Sequence, residues 1–224
     1  MSIFSLIKKK NTLSKQSVSK LITDRKWTKL HRAISGNKLL TEKNEMSSCS
    51  ETVESQSPLL LACENNPPEN VVSALIQENP TSVFEADSEN MLPLHVACGY
   101  GASPKVIAEL LKANEDAALQ KDRYGMLPIH MVCRFYAENA LIWNNSKSQI
   151  HDALVYILHL LLKAAPSTIL EEDCTRRCPI EHALETHMNI DIVKALQEKA
   201  EKVQKVRQHL RTIGFYDELN SKHL

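Results

Sequence analysis

Glycine is scarce, aromatics are sparse, the charges cancel, and no long apolar run occurs. Each absence excludes something. Five glycines spread over 224 residues leave no Gly-rich loop to cradle phosphate. With nine prolines, they also leave the chain far from low complexity. No apolar run reaches the roughly 18 residues that a spanning helix needs. The longest, Ala153 to Leu162, is interrupted by His159 and ends at Lys163. A net charge of zero gives no global attraction to nucleic acid or membrane. No nucleophile motif and no paired acid site rises above background, so no catalytic residues are assigned and no enzyme activity is expected.

What is present is a repeat. Ser57-Pro58-Leu59-Leu60-Leu61-Ala62-Cys63, Leu92-Pro93-Leu94-His95-Val96-Ala97-Cys98 and Leu127-Pro128-Ile129-His130-Met131-Val132-Cys133 follow one another at a step of 35 residues. A weaker copy, Cys178-Pro179-Ile180-Glu181-His182-Ala183-Leu184, comes after one further step plus 16 residues. Thirteen residues beyond Pro58, Pro93 and Pro179 stand Val71-Val72, Val106-Ile107 and Ile192-Val193. After Pro128 the matching pair is Ile157-Leu158, at 13 plus 16 residues. The extra residues therefore fall between the two helices of the third unit, within 136–151, where Leu141, Ile142 and Trp143 lie. A fixed period of this length marks a solenoid, whose units cannot bury their apolar faces alone.

Leu-Pro-Leu-His-Val-Ala, after an Asp and a turn and before a Val-Ile…Leu-Leu helix, resembles the ankyrin repeat. His95 and His130 match the signature histidine, and Gly125 the turn glycine. The signature threonine is replaced by Ser57, Leu92, Leu127 and Cys178, and the histidine by Leu60 and Glu181 in the outer copies. The resemblance covers residues 52–200. It implies an all-α, ankyrin-type helical solenoid of about four units, each a β-turn finger and two antiparallel helices. The signature histidine is then expected to tie its turn to the next unit.

Charge is uneven along the chain. Residues 1–40 hold ten Lys or Arg and one acid, whereas residues 41–90 hold ten acids and one base. This pattern reads as a basic arm before an acidic stretch. Residues 1–23 are expected to be a basic disordered tail, with an organelle transit peptide left open. Asp24 to Ile34 reads as a helix, with Trp27, Leu30 and Ile34 on one face, inside a degenerate half-repeat at 24–40. An acidic serine-rich loop follows at 41–56. The repeat domain spans 24–212 and ends in a capping helix at 189–211; residues 213–224 are a tail. Ser57 is the one residue before a repeat proline that can cap its helix; Leu92, Leu127 and Cys178 cannot.

Cys63, Cys98 and Cys133 occupy one register position, where a thiol packs as a small hydrophobe. Stacked helices lie roughly 10 Å apart, beyond the reach of a disulfide. Free thiols point to a reducing, intracellular compartment, cytoplasmic or nuclear. Cys174, Cys178, His182 and His187 are close enough in sequence to suggest zinc. Register argues against it, since Cys178 replaces the signature threonine and Cys174 lies in a turn. No metal and no cofactor is expected.

A binding surface remains. In the family, first helices and fingers form a concave face. By resemblance the positions facing it are Ser88, Glu89, Met91 and Tyr100, then Arg123, Tyr124, Met126, Arg134 and Phe135, then Thr175, Arg177, Glu185 and Thr186. Tyr, Phe, Met and Arg are enriched at such sites. The expectation is a monomeric scaffold that binds an unidentified protein partner, with no small-molecule substrate. The alternative makes residues 1–40 an electrostatic tether to anionic membrane or nucleic acid, with the array as spacer. A third possibility folds the basic arm onto the acidic 41–90 segment.

Overall fold

The computed structural model describes residues 15–35, 57–135 and 147–212. All regular structure among them is helical, and the chain is an all-α helical repeat array. In order these are α1 (Lys15–Thr23), α2 (Trp27–Ser35), α3 (Pro58–Glu64), α4 (Glu69–Glu78), α5 (Pro93–Gly99) and α6 (Pro104–Ala113). Then come α7 (Pro128–Arg134), α8 (Lys147–Ala164), α9 (Pro179–Glu185) and α10 (Ile190–Thr212). Three 3₁₀ turns follow second helices, at Pro80–Phe84, Glu115–Leu119 and Pro166–Leu170. Two compact units result, Met1–Ala117 and Ala118–Leu224.

Proline opens α3, α5, α6, α7 and α9, where its fixed φ suits the first turn and its missing N–H costs nothing. The second helices α4, α6 and α8 share a stop. The N–H of Asn79, Asn114 and Ala165 each bonds the carbonyl four residues earlier. The hydroxyls of Ser82 and Thr168 then donate to the carbonyls of Asn79 and Ala165, each at 2.6 Å. That bond holds the 3₁₀ turn.

In the first unit α1 packs on α3 and α3 on α5, while α2 packs on α4 and α4 on α6. Apolar pairs spaced for a helix explain it: Val71, Val72 and Leu75 on α4, and Val106, Ile107 and Leu110 on α6, are all buried. Ser73 donates to Glu109 at 3.2 Å across the same seam.

Two features differ from expectation here. Residues 15–23, assigned to a disordered tail, form α1. Val18 and Ile22, one helical turn apart, are buried by it, so α1 and α2 make a full helix pair where a half-repeat was expected. Ser57 makes no capping bond, and its hydroxyl is buried with no partner among the described residues.

In the second unit α7 packs on α9 and α8 on α7, and α9 packs on α10. Helices α8 and α10 both rest on the 3₁₀ turn Pro166–Leu170. Helix α8 has 18 residues against ten in α4 and in α6. Its N-terminal extension takes up residues 147–151 of the expected insertion. Trp143 and the rest of that insertion lie outside the described residues, as do residues 1–14, the acidic loop 41–56 and the tail 213–224.

Candidate functional site

One turn is built three times from the same parts. Asp87, Asp122 and Asp173 each use Oδ1 to accept the N–H groups two and four residues on. The distances lie between 2.7 and 3.1 Å. The fourth residue of each turn has left-handed φ: Asn90 at 60°, Gly125 at 73° and Arg176 at 61°. Each Asp N–H also donates to the carbonyl four residues on, so the carboxylate and this bond together hold a tight loop in one shape.

Each turn leads into a first helix whose N-cap N–H is taken by a side chain three residues on. The acceptors are His95 Nδ1 for Leu92 at 3.2 Å, His130 Nδ1 for Leu127 at 3.1 Å, and Glu181 Oε2 for Cys178 at 2.7 Å. These bonds satisfy a donor that Leu or Cys cannot cap from its own position. His130 then donates from Nε2 to the Glu171 carbonyl at 3.1 Å. With Nδ1 accepting and Nε2 donating, the ring is neutral. Burial, then the nearby His182 ring at 5.8 Å, pushes its pKa down to about 4.

His182 differs from both signature histidines. Its Nε2 lies 2.8 Å from Asp173 Oδ2, with both groups buried. Burial raises the Asp173 pKa, but hydrogen bonds from Thr175, His182 and the Arg177 N–H outweigh it and hold the carboxyl well below the usual range.

In the first unit Tyr100 caps α5 and is 47% exposed. Ser88 is exposed, and Glu89 and Met91 are half-buried with their N–H groups committed to Asp87.

In the second unit the candidates from two fingers come together. The Cys174 N–H donates to the Tyr124 carbonyl at 2.9 Å, which joins the Asp122 turn to the Asp173 turn. Tyr124 is 54% exposed, and Arg123, Thr175 and Arg177 are exposed beside these turns. At the helix ends, the Arg134 guanidinium lies 5.6 Å from the Phe135 ring centroid. Thr186 Oγ1 donates to the Cys133 carbonyl at 2.9 Å, tying the end of α9 to α7. Arg177 pairs with Glu185 at 2.8 Å.

Met126 stands apart from the other candidates. It is only 5% exposed, and its Sδ lies 3.5 Å from Arg134 Nη1. Its role there is to pack under the guanidinium. Arg176, which the sequence reading passed over, is exposed at the tip of the second finger. Its match to Gly125 in the turn register was the available signal. Glu181 was readable as a capping glutamate, but the Cys178 before it masked the pattern.

Among the described residues no two cysteines are joined by a disulfide. Cys63, Cys98 and Cys133 are buried, and Cys174 is exposed. Burial pushes the Cys63 and Cys133 thiols up to about 12. Among the described residues no cluster of three or more His, Cys, Asp or Glu is arranged to hold a metal ion. No described helix is long and apolar enough to cross a membrane.

A family model for ankyrin repeats, in three copies, matches residues 9–121. Comparison with curated proteins returns no match. The family match begins ahead of α1, which agrees with a full N-terminal helix pair. Its span takes in half of the chain, and α7 to α10 continue the same proline, turn and capping pattern. The chain belongs to the ankyrin-repeat family, whose members are generally protein–protein interaction modules.

Proposed function

We propose that the chain is a non-catalytic scaffold, and that the finger and first-helix surface of its second unit binds an acidic segment of a partner protein. The observation that carries this reading is the backbone bond from Cys174 to Tyr124. It fixes two neighbouring fingers, so that exposed Tyr124 stands in a rigid setting among Arg123, Arg176 and Arg177. Rigid aromatics with few rotatable bonds bind at low entropic cost. Arginine forks suit carboxylates. Arg177 is already engaged by Glu185; Arg123, Arg134 and Arg176, all exposed, are the cations assigned to recruit acid. Tyr100, with Ser88, Glu89 and Met91, is the corresponding surface of the first unit.

The test is a pull-down from reduced cell extract. It compares the parent with a Tyr124→Ala, Arg134→Ala double variant, after circular dichroism has shown both folded. A protein retained by the parent and lost by the variant supports the reading. The same proteins on both would overturn it and turn attention to residues 1–40 as a tether.

A further inference from the structure

Within the finger surface of the second unit one cation is held differently from the rest. The Arg134 guanidinium lies 5.6 Å from the Phe135 ring centroid, and its Nη1 lies 3.5 Å from Met126 Sδ. Both supports stand on fixed backbone. Phe135 closes α7, its N–H on the Met131 carbonyl at 3.0 Å. Met126 ends its finger, with its N–H on Asp122 Oδ1 at 2.8 Å and its carbonyl taking the Asp122 N–H at 2.9 Å. A ring face and a thioether leave most of the five guanidinium N–H donors open to an incoming acceptor. Arg134 is exposed, and among the described residues no carboxylate pairs with it.

The repeat supplies the comparison. One step of 35 plus 16 residues separates Met126 from Arg177, and Arg134 from Glu185. In the later copy these two positions hold an ion pair at 2.8 Å. In the earlier copy they hold a thioether and a guanidinium. Among the described residues, the earlier cation therefore stands without the carboxylate that balances the later one. The Thr186 to Cys133 bond ties the ends of α7 and α9 together, one residue from Glu185 and one from Arg134. The charge of Glu185 disfavours a dianionic phosphate more than a single carboxylate.

We propose that Arg134 sets specificity on this surface: its guanidinium receives one Asp or Glu side chain of the partner in a two-pronged contact, with Phe135 and Met126 as positioning residues. The proposal rests on the finger-surface reading and narrows its acidic segment to one required carboxylate. A planar fork pairs with a carboxylate through two parallel bonds, which a lysine of equal charge cannot make. A fork already held in place loses less freedom on pairing.

The test selects a displayed library of 12-residue peptides on the intact chain, with counter-selection on Arg134→Gln. Winners are expected to share one Asp or Glu. Synthetic winners, amidated at the C-terminus so that only side chains carry acid, should lose about tenfold in affinity on Arg134→Lys. They should lose as much when the shared acid becomes its amide. Phe135→Leu and Met126→Leu should each lose about threefold. Neither should lose anything further once Arg134 is replaced by Gln, a coupling that a merely structural role would not give. Winners with no shared acid overturn the proposal. So does phosphoserine in place of the acid binding tenfold better, which would assign the fork to phosphate. Acidic winners lost on Tyr124→Ala but indifferent to Arg134→Lys would leave the finger surface standing and remove the clamp. If no winner emerges, or none responds to either residue, both readings fall.

Discussion

His182 Nε2 and Asp173 Oδ2 meet at 2.8 Å in the interior of the second unit. The same carboxylate holds its turn through Oδ1, so one residue fixes both a finger and the helix behind it. Asp122 holds an identical turn, yet its Oδ2 is buried with no partner among the described residues. The reason is one position: nine residues beyond Asp173 stands His182, and nine beyond Asp122 stands Met131. Asp173→Ala should therefore cost more than Asp122→Ala, by about 1–3 kcal/mol for the orphaned imidazole. Urea unfolding of both variants measures the difference. Equal costs would mean that the histidine bond adds nothing.

Acid should weaken the fold in two stages. The His130 pKa is held at about 4 by burial and by His182, against 6.5 in an open chain. Because the folded value lies below the unfolded one, the unfolded state binds the extra proton first. The associated stability is intact above pH 6.5 and declines as pH falls toward 4, by about 3 kcal/mol in full. Asp173 shifts downward in the folded state, so its contribution is present above the unfolded carboxylate value and is lost as pH falls below it. Melting temperature should thus drop first between pH 6.5 and 4, and again below that. His130→Asn keeps an acceptor for the Leu127 N–H and should flatten the first stage alone.

The left-handed turn positions give opposite predictions. At Gly125 a Cβ would come within 3.1 Å of the Cys174 nitrogen and 3.2 Å of its Sγ, at φ 73°. Gly125→Ala should destabilise by about 1–3 kcal/mol and disturb the Cys174 to Tyr124 bond. Arg176 sits at φ 61° with a side chain. Arg176→Gly should gain up to about 1 kcal/mol. Thermal melts decide both, and a destabilising Arg176→Gly would mean that the guanidinium contributes more than its backbone costs.

Thiol chemistry separates surface from core. Cys174 is exposed, whereas Cys63 and Cys133 are buried with pKa values pushed up to about 12. Thiolate is the reactive form. Iodoacetamide at neutral pH should therefore modify Cys174 in the folded chain, and reach Cys63 and Cys133 only after denaturant is added. Mass spectrometry of the digested protein reads the order. Early labelling of Cys63 would contradict its place between helices.

Parts of this molecule that repeat along the chain could be read from it. Pro58, Pro93, Pro128 and Pro179 mark first helices because proline has one favourable place in a helix, and the registered Val-Ile pairs mark the buried faces of second helices. Helix α1 was harder to read. Val18 and Ile22 have helical spacing, but serines and lysines surround them and no acidic residue marks a start. The His182–Asp173 pair joins residues across a turn, where side-chain direction decides and spacing is silent. Of the finger positions, Tyr124 and Tyr100 were legible as exposed. Met126 was not, because its neighbour Arg134 covers it.

Register itself is testable at Leu110. It lies on α6, 2% exposed, level with Leu75 in the unit before. Each second helix buries such a residue against its neighbours, because a single unit is too thin to enclose it. Leu110→Ala should therefore cost about 2–5 kcal/mol, the transfer of the lost methyl groups plus the cavity they leave. Its neighbour Lys112, exposed on the same helix, should tolerate alanine within about 0.5 kcal/mol. Urea midpoints of the two variants distinguish a buried seam from a solvated one. A Leu110→Ala protein as stable as its parent would require the whole second-helix register to be shifted.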